Sequence, residues 1–106
     1  MTPETLAALR GSIAKWRAIV DGTGTDQGPQ NCPLCQMFLV RRNDLMSPPR
    51  CNGCPVYRET GLSGCEGTPY DNYILAKEDR DEPAMADAAA DEVTFLMSLL
   101  PDGEAP

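Results

Sequence analysis

The chain has 106 residues, with nine Lys and Arg against sixteen Asp and Glu and no His, for a net charge of −7. Without His there are no imidazole general bases, no imidazole metal ligands, no Ser-His or Cys-His nucleophile pairs and no c-type haem attachment. A single small domain of this length buries only about two thirds of its unfolded surface, so a metal staple would add materially to its stability.

Thr2 is a natural N-cap with Pro3 at the first helical position. Leu6, Leu9, Ile13, Trp16 and Val20 then recur at steps of three and four. That periodicity predicts an N-terminal helix over residues 1–21 with one apolar stripe, closed by Asp21-Gly22. Gly11 falls off the stripe and weakens the helix slightly. Residues 22–31, GTGTDQGPQN, are Gly-rich and polar and read as a flexible connection.

A Cys-rich region over residues 32–70 follows. Cys32-Pro33-Leu34-Cys35 and Cys51-Asn52-Gly53-Cys54 give the spacing C-x2-C-x15-C-x2-C. Two residues between cysteines let both sulfurs reach one metal from a tight turn, and a second pair completes a tetrahedron at about 2.3 Å from zinc. Such a site is closed by four protein ligands, which points to a structural rather than a catalytic metal. Iron or an Fe–S cluster suits the same thiolates but has no electron-transfer context here, so zinc is preferred. Four thiolates and one Zn²⁺ add about −2 to the chain's charge. A zinc deaminase is disfavoured, because Asn31 and Arg50 stand where that signature has Pro before each Cys-x-x-Cys, and Cys65-Glu66 has the wrong spacing.

The stretch after Cys35, Gln36 to Arg42, is short and apolar and reads as a helical turn or a strand. After Cys54, Pro55 suits a helix start and Gly61 a stop. A thiolate at a helix start gains from the exposed N–H groups, which lowers its pKa. Gly53 supplies the backbone freedom of a tight metal-binding turn. Cys65, between Gly64 and Glu66-Gly67, has three readings: a ligand replacing one of the four, with Cys51 the first candidate for replacement; a spare buried thiol; or a reactive one. A thioredoxin-like dithiol at Cys32 and Cys35 would need a βαβ setting, which the sequence lacks.

Arg41, Arg42, Arg50 and Arg58 surround the cysteines and either offset the site's charge or contact phosphates. Thr68-Pro69-Tyr70 repeats the cap-then-proline signal and opens a helix carrying Tyr73, Ile74 and Lys77. A C-terminal helix over residues 83–101 bears Met85, Ala89, Val93, Leu96 and Leu100 on one stripe and ends at Pro101. Trp16, Phe38 and Phe95 read as core, and the acidic positions from Glu78 to Glu92 read as a solvated face or a surface for a basic partner. Strand signals are poor throughout.

Residues 1–60 carry seven cations and five anions, whereas residues 61–106 carry two and eleven. Such a surface repels nucleic-acid backbone and favours basic partners. Met1-Thr2-Pro3-Glu4 lacks a signal core and no apolar run spans a bilayer, so the expected location is the cytoplasm, with no membrane partner.

Several of these residues fall in a recognisable order. Leu9, Ser12, Ile13 and Trp16, then Cys32 to Cys35, Cys51 to Val56, Thr60-Gly61, Cys65 with Gly67 to Tyr70, and Glu92, Phe95, Leu96 and Leu99 to Pro101 give a pattern CPLC…CxGCPV…CxGTPY. It resembles a group of small cysteine-rich proteins of tailed bacteriophages and prophages. The resemblance implies origin in a bacterial host cell rather than a chemistry. It also implies that Cys65 and the Gly-Thr-Pro-Tyr segment belong to the same metal-centred unit as the two Cys pairs.

The expected protein is a mainly α, zinc-stapled single domain, 1–106, with long N- and C-terminal helices packed around the Cys-rich knuckle region. Metal ligands are drawn from Cys32, Cys35, Cys51, Cys54 and Cys65. No catalytic constellation is present, so the expected function is non-enzymatic: a phage-type accessory protein that modulates or inhibits a host or phage protein. A nucleic-acid-binding zinc protein using Arg41, Arg42, Arg50 and Arg58 is the alternative, disfavoured by net charge, and a Cys65-dependent redox protein is a further one. The apolar stripes suit packing within one chain or across a homodimer.

Overall fold

Proline decides where the helices begin. A computed structural model describes residues 1–38, 54–60 and 67–104. Within them lie α1 (Pro3–Asp21), a 3-10 turn (Gly28–Asn31), α2 (Pro33–Phe38), α3 (Pro55–Thr60), α4 (Pro69–Glu78) and α5 (Glu82–Ser98). Four of these helices start on a proline, and α5 has Pro83 as its second residue. At those positions the missing N–H costs nothing and the fixed φ already suits a helix. That is how a chain with ten prolines stays mainly α. Among the described residues there is no strand, and no helix is long and apolar enough to cross a membrane.

Side-chain caps complete the three longer helices. The Thr5 N–H donates to Thr2 Oγ1 at 3.1 Å, the Tyr70 N–H to Thr68 Oγ1 at 3.2 Å, and the Ala84 N–H to Asp81 Oδ1 at 3.1 Å. At the other end, α1 closes on Gly22 with φ 81°, and the Thr23 N–H reaches back to the Ala18 carbonyl. The turn after α4 has the same form with Arg80 in the left-handed position, φ 54°, and the Asp81 N–H on the Ala76 carbonyl.

The N- and C-terminal helices pack together as expected. α5 lies against both α1 and α4, and α1 also holds α2. Leu9, Ile13 and Trp16 of α1 meet Leu34, Val56, Tyr73, Ala88, Ala89 and Leu96 in one core. Alanines at 88 and 89 let α5 approach its neighbours closely. Trp16 stands edge-on to both Tyr70 and Tyr73, with ring centroids 5.6 and 5.0 Å away.

Two expectations of facing fail. Val20 is 39% exposed, because at the C-terminal end of α1 the neighbouring Ile19 takes the position against the core, while Thr5 and Ser12 are buried instead. Glu92 leaves the acidic solvated face altogether and is fully buried. The segment before the 3-10 turn is also less loose than its glycines suggest. Asp26 receives the Lys15 ammonium and the Tyr70 hydroxyl, and Asn31 donates to the Thr25 carbonyl at 2.8 Å while accepting from the Gln27 N–H at 3.0 Å.

Candidate metal centre

Each Cys-Pro dipeptide sets up the same local structure. Cys32 is extended, φ −100° and ψ 108°, directly before Pro33, and its carbonyl accepts the Gln36 N–H at 2.9 Å. Cys54 directly precedes Pro55, and its carbonyl accepts the Arg58 N–H at 2.9 Å. Both cysteines are therefore the residue on which a short helix begins. Both are buried thiols in the same apolar cluster, in company with Leu9, Leu34 and Val56.

The first pair is docked on α1 by two small residues. A Cβ built on Gly11 would lie 3.0 Å from Pro33 Cγ and 3.3 Å from its Cβ, so glycine is what lets the proline seat there. Beside it, Ser12 Oγ accepts the Leu34 N–H at 3.4 Å, a buried bond. Gly11, which reads from sequence only as a weak spot, is thus part of the seat for the Cys32 turn.

Cys35 lies within α2, with its side chain outside the described residues, as are Cys51 and Cys65 in full. Among the described residues no three Cys, Asp or Glu side chains gather into a metal-holding group. Of the arginines, Arg58 is exposed on α3, beside a groove that also takes in Thr2, Leu99 and Pro101. Arg41, Arg42 and Arg50 lie outside the described residues. Trp16 is core as expected, Phe95 packs half-buried against it, and the side chain of Phe38 lies outside the described set.

A second group of side chains, not expected from sequence, joins α1, α4 and α5. Lys15 of α1 pairs with Asp26 at 2.8 Å, the two side chains 8% and 3% exposed. The Lys15 ammonium also sits 5.1 Å from the centroid of the Trp16 ring. Tyr70 donates its hydroxyl to the other Asp26 oxygen at 2.8 Å. Burial, with the Asp26 charge second, raises the Tyr73 phenol. Glu92 of α5 reaches the start of α4, where the Thr68 side chain and the Tyr70 backbone bond its carboxyl. Burial pushes that carboxyl up to about 7; the Thr68 and Tyr70 bonds and the Lys15 charge pull it down, and Asp71 adds to the rise. Among the described residues Glu92 Oε2 has no hydrogen-bond partner. A signal for Glu92 was present: position 92 is four residues from both Ala88 and Leu96, on the buried stripe itself.

No family model, curated protein or solved structure matches the chain.

Proposed function

We propose that this chain is a small zinc-stapled module that works by binding another protein and catalyses no reaction. Four of Cys32, Cys35, Cys51, Cys54 and Cys65 hold the metal as a closed tetrathiolate, leaving one thiol over. The observation that carries this reading is that Cys32 and Cys54, one from each pair, open short helices in the same way and share one buried cluster. A metal drawing on both pairs would cross-link segments well separated in the chain, which suits a domain too small to rest on its apolar core alone. The resemblance to small phage proteins supports an action in the cytoplasm of a bacterial host, as an accessory that modulates a host or phage protein.

The surface supports a basic partner. Glu78, Asp79, Asp81, Glu82, Asp87 and Asp91 are all exposed on α4, α5 and the turn between them, with Lys77 and Arg80 as the cations among them. Opposite charge across an interface speeds encounter and excludes acidic competitors.

The test is affinity capture from bacterial lysate with zinc-loaded protein as bait, alongside a folded Asp87→Lys/Asp91→Lys variant. The expected result is a specific partner that wild type retains at low salt and releases as salt rises, and that the variant fails to retain. No specific partner, or equal retention by both baits, would overturn the reading of this face.

A further inference from the structure

Glu92 is 1% exposed, yet among the described residues it belongs to no ion pair. Its carboxyl spans α5 and the first residues of α4, bonded by the Thr68 side chain and the Tyr70 backbone, while Oε2 has no hydrogen-bond partner among the described residues. The charges around it do not favour a second anion. From α1, Lys15 is within electrostatic reach, but its ammonium is already held by Asp26 at 2.8 Å. From α4, Asp71 opposes ionisation, and the Tyr70 hydroxyl is turned to Asp26. The buried Tyr73 phenol, also on α4, is itself held neutral. A neutral carboxyl can occupy such a position at modest cost, whereas a carboxylate with one bare oxygen draws in water or moves.

We propose that Glu92 is a proton-operated latch: protonated, it closes the junction of α1, α4 and α5, and on losing its proton it loosens the start of α4. The sign follows from linkage. The folded state holds this proton more tightly than the unfolded chain, whose carboxyl has the ordinary value of 4.5. The latch is therefore fully closed below that value, and its contribution is lost as pH rises from there through about 7. The Thr68 and Tyr70 bonds work against this trend but are outweighed by burial.

The experiment compares unfolding of zinc-loaded wild type and Glu92→Gln by denaturant between pH 5 and 8. Thiolate protonation at the metal site affects both proteins alike and cancels in the difference, so the outcome does not depend on the metal reading. The ratio of their unfolding constants should move by roughly 50- to 100-fold across that range, with wild type losing ground as pH rises. Parallel curves would overturn the proposal. Because the variant itself could fail to fold, the Glu92 side-chain carboxyl of wild type is also followed by carbon NMR. A midpoint near 7 is the expected result, and a midpoint in the ordinary carboxylate range would overturn the latch.

Discussion

Lys15 and Asp26 show why buried charge is specific rather than simply stabilising. Both side chains are almost wholly out of water, so each depends on the other and on the Tyr70 hydroxyl to offset its desolvation. Asp26→Asn removes the counter-charge and leaves a buried ammonium, which is expected to cost about 3 kcal/mol in a urea titration. A Lys15→Met/Asp26→Leu double variant should lose clearly less, since it leaves no orphaned charge. Equal losses would mean that packing at these positions, and not the pair, matters. The sequence holds little trace of this pair: Asp26 sits in a Gly-rich polar stretch with no periodicity, and only the fold brings it to Lys15 and Tyr70. Glu92 differs. Its place on the α5 stripe was visible in the spacing, and its charge argued against reading it as core.

At the scale of elements, the helices were the legible part. Threonine-proline starts at residues 2–3 and 68–69 and a glycine stop at residue 22 are local rules, and local rules can be read without the fold. Facing was less legible at the end of α1, where Ile19 rather than Val20 packs against the core. Gly11 shows the limit most clearly, because its role depends on Pro33, which lies on another helix. Gly11→Ala gains up to about 1 kcal/mol of helix propensity, but its methyl meets a proline ring fixed to the Cys32 turn, and such overpacking costs about 1–3 kcal/mol. Thermal melts should therefore show a net loss of about 1 kcal/mol, with Gly11→Val losing more. A gain in stability would show that α2 yields readily and that the seat under the first Cys pair is not tight.

At the scale of the whole molecule, α1, α4 and α5 form an apolar frame, and Cys32 and Cys54 enter its core from the Cys-rich region. The spacing of two Cys-x-x-Cys pairs leads to the proposal of thiolate ligands. It does not choose among the five cysteines, since that choice rests on how residues far apart in the chain meet. Charge is divided along the chain, with the anions concentrated beyond residue 60, and the exposed carboxylates of α4, α5 and the turn between them form one acidic face.

The central claim is that the metal is part of the fold. A structural zinc contributes about 10–16 kcal/mol of apparent binding energy, which matches or exceeds the whole stability of a small domain, about 5–15 kcal/mol. The most direct measurement is native mass spectrometry of the untagged protein, with thiol alkylation before and after chelation. One zinc per chain, a single alkylated cysteine while the metal is bound, and five after chelation with loss of helical structure are the results this account predicts. A folded chain without metal, an iron–sulfur mass or a disulfide-bonded chain would contradict it.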